Sequence, residues 1–130
     1  MKREKIKKSI TTAGLAAVMA FGFAVPAFAA SFRGITLGPW WEDTTIVSGT
    51  KYSGYGSALI SVSSTSNNGA NFWITKNGQQ CSYSVDVLVG QSKGSSYYDS
   101  SINGTVVLHA HQYGYGPGTD TVTGSVSFNN

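Results

Sequence analysis

The dipeptide Asn77-Gly78, set between two β-forming runs, restricts the fold more than any other feature of this chain. Both residues tolerate positive φ, which a two-residue type I′ turn demands. Residues 71–76, with Phe72, Trp73 and Ile74, are therefore expected to pair as a hairpin with residues 79–89. The second run alternates with a period of two. Cys81, Tyr83, Val85, Val87 and Val89 fall on one side, and Ser82, Ser84 and Asp86 on the other. The first set is expected to face a core.

The same alternation recurs elsewhere. In residues 57–65, Ala58, Ile60 and Val62 oppose Ser57, Ser61 and Ser63, with Leu59 out of phase. In residues 105–112, Val106, Leu108 and Ala110 oppose Thr105, Val107, His109 and His111. Near the C-terminal end, Val122, Val126 and Phe128 oppose Thr121, Thr123, Ser125 and Ser127. Residues 31–43, with Phe32, Ile35, Leu37, Pro39, Trp40 and Trp41, are expected to form an arm or first strand ending in a turn, and residues 44–47 a short β-branched run. Gly-rich segments at 52–56 and 114–118 read as loops, 67–69 as a turn and 90–96 as a polar, flexible stretch. No stretch beyond residue 30 holds a helical period. The expected fold is all-β: a small antiparallel β-sandwich or open barrel of about five to seven strands.

A different pattern opens the chain. Lys2, Arg3, Lys5, Lys7 and Lys8 precede an apolar run from Ala13 to Val25, and Pro26-Ala27-Phe28-Ala29 follows. A basic end, an apolar stretch and an A-x-A site make a secretory signal peptide, helical in its apolar part, with Ala27 and Ala29 as the small residues at cleavage. The run is shorter than the roughly 20 apolar residues a membrane-spanning helix needs. The chain thus divides into a signal, 1–29, and one secreted β domain, 30–130. The lysine-rich opening is of the Gram-positive kind, and no Cys follows the cleavage point to carry a lipid.

This division reverses the charge. The whole chain is +3 at neutral pH, with a pI near 9.1. Five of its nine basic residues lie in the signal; Arg33, Lys51, Lys76 and Lys93 remain, against Glu42, Asp43, Asp86, Asp99 and Asp120. The remainder is slightly acidic and has no basic cluster, which argues against nucleic-acid binding. The single cysteine, Cys81, excludes an intrachain disulfide. Its phase favours a buried thiol over a Cys81-linked dimer.

Few residues carry chemistry. His109 and His111 share a strand face and could hold a metal only if Asp86, Asp99 or Asp120 joined them. The competing reading, a solvated or half-buried polar face, is preferred. Serine occurs in no nucleophile elbow, Cys81 lies mid-strand, and Glu42 and Asp43 are adjacent, so they point apart in extended chain. Catalysis is not expected, and no cofactor is implied. The aromatics are the better lead: Trp40, Trp41, Tyr52, Tyr55, Tyr97, Tyr98, Tyr113 and Tyr115 lie in loops or at element ends, mostly beside Gly. Such rings offer rigid contact area with a polar tip. Opposite projection makes one of Trp40 and Trp41 buried and the other exposed, while Tyr113 and Tyr115 serve contact or packing equally well.

The lysine-rich signal, the Gly/Ser/Tyr-rich β domain, Lys51-Tyr52-Ser53-Gly54 and the closing Gly124-Ser125-Val126-Ser127 resemble small Gram-positive secreted proteins of the bacteriocin-like kind, including the lactococcin 972 type. The resemblance implies a peptide exported to act at a neighbouring envelope and assigns no functional residue. The expected function is binding: a cell-envelope component, a carbohydrate or another protein held by loop aromatics outside the cell. The alternatives are a surface module that self-associates through sheet edges and a His-dependent, metal-binding hydrolase.

Overall fold

Asn77 and Gly78 adopt φ of 53° and 78°, the left-handed pair that closes a type I′ hairpin. Their turn joins β4 (Gly69–Lys76) to β5 (Gln79–Gln80), pairing Lys76 with Gln79 and Thr75 with Gln80. Around this hairpin a computed structural model of the protein describes residues 29–114 and 118–130. The expected signal, with Ala27, lies outside the described residues, as does Tyr115; Ala29 is the first residue described.

The described chain is all-β, with no helix. Besides β4 and β5 its strands are β1 (Ala30–Leu37), β2 (Thr44–Lys51), β3 (Ser57–Thr65), β6 (Val85–Leu88), β7 (Ser92–Ser96), β8 (Gly104–Gln112) and β9 (Asp120–Ser127). They form two antiparallel sheets. One has the order β1-β9-β3-β7; the other runs β2-β8-β4-β5, with β6 also paired to β4. Neither closes into a barrel. The inner faces pack as a sandwich. Ala58, Ile60, Val62, Val122 and Val126 from the first sheet meet Ala70, Phe72, Ile74, Val106, Leu108 and Ala110 from the second, all fully or almost fully buried. Phe32 of β1 and Phe72 of β4 meet across the layers with ring centroids 6.0 Å apart.

Nine strands stand where about five to seven were expected, and two segments account for the excess. The run after Asn77-Gly78 is not a single strand. It leaves the second sheet at Cys81, reaches across to β7, and returns as β6. Ser82 bridges Tyr97, Tyr83 N–H donates to Ser96 O at 2.9 Å, and Tyr98 N–H donates to Cys81 O at 2.9 Å. A buried hydroxyl chain makes the crossing: Ser82 Oγ accepts from Ile74 N–H at 2.9 Å and lies 2.9 Å from Ser95 Oγ, which donates to the Tyr83 carbonyl at 2.7 Å. The crossing breaks the alternation. Cys81 and Ser82 are both buried, whereas Tyr83 and Val89, expected in the core, are exposed. Residues 92–96 of the stretch expected to be flexible form the edge strand β7, paired with β3.

Candidate functional site

Antiparallel pairing gathers the loops into two groups. Residues 38–43, 66–68, 113–114 and 118–119 lie at one end of the sandwich, where β2, β4 and β9 begin. Residues 52–56, 97–103 and 128–130 lie at the other, where β2 and β9 finish. The described members of the expected aromatic set divide between the two ends.

Trp40 and Trp41 occupy the first end, in the turn between β1 and β2. Glu42 N–H closes this turn on Pro39 O at 2.8 Å, and Gln112 N–H holds it to β8 through Gly38 O at 3.0 Å. Because the two tryptophans sit in a turn and not in extended chain, the expected burial of one of them does not occur. They are 46% and 58% exposed, packed edge to face at 5.8 Å. Tyr113, in the loop after β8, is half-buried.

The opposite end is a tyrosine surface. Tyr52, Tyr55 and Tyr98 are each about half exposed. Tyr83 joins them, because the crossing of residues 81–84 turns it outward and packs it edge to face on Tyr98 at 4.7 Å. No sequence signal marked it, since its period-two phase pointed inward. Tyr97 leaves the set: it is 6% exposed, and its hydroxyl donates to Phe128 O at 2.7 Å. Adjacent residues in extended chain project oppositely, so Tyr98 faces solvent because Tyr97 faces the core.

The tyrosine loops are tied together from beneath by Lys51, whose side chain is fully buried at the end of β2. Its Nζ donates to Tyr52 O and Ser100 O at 2.8 Å and to Ile102 O at 2.9 Å. It also lies 4.7 Å from the centre of the Tyr97 ring, within cation–π range. An ammonium has three N–H donors, and here each finds a carbonyl. Burial pushes the Lys51 ammonium below its usual value, and the charges of Asp99 and Cys81 oppose that shift. The Asp99 carboxyl is held low chiefly by hydrogen bonds from Ser101 N–H and Oγ, at 2.9 and 2.8 Å, with Lys51 adding to them. Burial raises the Tyr97 phenol and the Cys81 thiol. The Cys81 sulfur is free and buried, a setting that disfavours both a thiolate and a bond to a second chain. Further ties close the end: Gly54 N–H to Ser100 O and Tyr97 N–H to Gly56 O, each 2.9 Å, and Tyr52 N–H to Asn129 Oδ1 at 2.7 Å.

The histidines sit on the outer face of the second sheet. His109 lies opposite Trp73 and His111 opposite Asn71. Trp73 stacks on His109 at 5.8 Å and leans on His111 at 5.5 Å. His109 Nδ1 is 2.6 Å from Asp43 Oδ1, and its Nε2 is 2.7 Å from Thr75 Oγ1. His111 Nδ1 donates to Gln112 O at 2.8 Å; a carbonyl only accepts, so this nitrogen carries the proton.

The line Asp43–His109–Thr75 has the order of an acid, a base and a hydroxyl. Acyl transfer also needs free N–H groups aimed at a developing oxyanion. The Thr75 backbone is paired on both sides, to Val107 and Gln80, so the strand provides none at this hydroxyl. The metal reading of His109 and His111 also lacks its further ligands. Asp86 accepts from the Asn71 amide at 2.8 Å, Asp120 bonds Ser66 and Asn67, and Asp99 is at the tyrosine end. Among the described residues no three His, Cys, Asp or Glu side chains gather as a ligand set.

No protein-family model, curated protein or solved structure matches this chain.

Proposed function

We propose that the chain is exported and acts by binding a component of a bacterial cell envelope, in the manner of small bacteriocin-like proteins, through exposed aromatic residues. The reading is carried by one observation: Tyr52, Tyr55, Tyr83 and Tyr98 are exposed together at one end of the sandwich. Large exposed rings cost solvation, and when gathered on held loops they mark a contact surface. Holding the loops in advance reduces the entropy lost on binding. Lys51 does this by joining Tyr52 to Ser100 and Ile102.

The alternatives have weaker support. Self-association would use sheet edges, and these are blunted in ways known to discourage edge pairing. A register shift interrupts β1 between Phe32 and Ile35, and another interrupts β2 between Thr45 and Val47. Edge strand β7 is short and carries Lys93. A hydrolase at His109 would need oxyanion donors that the paired backbone of Thr75 does not offer.

Co-sedimentation of the purified protein with isolated Gram-positive cell walls tests the proposal. Binding is expected for the wild type and is expected to weaken in the double variant Tyr52→Ala/Tyr98→Ala. Absence of binding to walls and to membranes from the same cells would refute it.

A further inference from the structure

We infer that the tyrosine end takes a neutral polysaccharide chain. This rests on the binding function proposed above and specifies its ligand class. Among the described residues the exposed large apolar side chains are Trp40, Trp41, Tyr52, Tyr55, Tyr83, Tyr98 and Val89. At the tyrosine end every one is a tyrosine. Phe128 is buried there, and Ile102 is partly buried against the core. A lipid interior or the core of a protein partner is met by aliphatic and aromatic bulk together. A surface of tyrosines alone offers flat apolar faces, each with a hydroxyl at its rim. A pyranose ring has the matching form, with C–H bonds on its faces and hydroxyls around its edge.

The charge of this end narrows the class further. In loops 52–56, 97–103 and 128–130 the only acidic or basic side chain is Asp99; Lys76, half-buried at the end of β4 beside Gly104, is a strand cation near this end. Asp99 bonds Ser101 through both the backbone and the hydroxyl. The Lys51 ammonium beneath is fully buried and spends its three donors on carbonyls. No exposed cation in these loops meets a phosphate or an anionic headgroup, and the exposed Asp99 carboxylate repels them. Around the rings lie neutral hydrogen-bonding groups, among them Ser53, Ser100 and Asn130. Polyanionic wall polymers, nucleic acid and anionic membranes are disfavoured, while neutral glycans meet no such barrier.

The test measures binding of the purified protein to three kinds of probe, alongside whole cell walls. The first is a set of neutral oligosaccharides, chitohexaose and cellohexaose, read by calorimetry. The second is phosphatidylglycerol vesicles. The third is cell walls stripped of protein by protease. The expected result is binding to a neutral oligosaccharide and to protease-stripped walls, with no vesicle binding. Tyr52→Ala/Tyr98→Ala is expected to lower oligosaccharide affinity about tenfold or more while melting like the wild type, since both side chains are exposed. Wall binding that disappears on protease treatment overturns the glycan assignment and leaves the envelope reading standing. So does binding to vesicles in place of oligosaccharides, or oligosaccharide affinity unchanged in the double variant. Absence of binding to every probe and to untreated walls overturns both.

Discussion

Replacing Lys51 with methionine keeps most of the buried side-chain volume and removes only the ammonium. Three carbonyls, of Tyr52, Ser100 and Ile102, then lose their donor. A buried acceptor left unpaired costs about 1–3 kcal/mol. All three are part-buried, so the low end applies, and the sum is about 3 kcal/mol. A domain of this size loses about 4–8 °C of Tm per kcal/mol, so Lys51→Met is expected to melt about 12–24 °C below the wild type. Lys51→Arg should not restore it, because a planar guanidinium fork does not present donors as the ammonium does. Circular dichroism melts at neutral pH measure both variants. A Lys51→Met protein melting within a degree or two of the wild type would refute the role given to this residue, and so would an arginine variant of wild-type stability.

Tyr97→Phe removes the hydroxyl bonded to Phe128 O and is expected to cost about 1 kcal/mol at neutral pH. Burial raises the folded-state phenol above 10.0, so its contribution is complete below pH 10 and is lost as pH climbs beyond it. Cys81, raised from 9.0 by burial, acts with the same sign, while Lys51, lowered from 10.5, acts with the opposite one. Denaturant titrations from pH 7 to 11 should therefore show a flatter alkaline decline in Tyr97→Phe than in the wild type; parallel declines would count against the assignment. Glycine substitutions should separate two kinds of cost. Gly78→Ala, with open space around the new methyl group, should lose about 1–2 kcal/mol from the left-handed backbone alone. Gly124→Ala should lose more in the same chemical denaturation assay, because its methyl group would collide with the Ser61 carbonyl across the β3–β9 pair.

The local chemistry of the chain was sufficient for much of this fold. Asn77-Gly78 specified its hairpin because few residue pairs tolerate two consecutive positive φ values. The inward sets of β3, β8 and β9 were legible because alternation matches a sheet with one face on a core. The exposed rings at Tyr52, Tyr55 and Tyr98 followed from their glycine-rich or polar loops.

Tertiary structure decided the rest. Residues 79–89 alternate cleanly, yet Ser82 carries the chain across to β7, which turns Tyr83 outward; a period-two pattern carries no record of which sheet a strand joins. Nothing in the sequence sets Lys51 apart from the other basic residues, because its burial depends on carbonyls 49 and 51 residues away along the chain. The Asp43–His109–Thr75 line likewise unites three strand or turn residues that no spacing connects. Periodicity reports which side of a strand is apolar, whereas long-range hydrogen bonds decide which polar groups meet, and these exist only after the two sheets have packed.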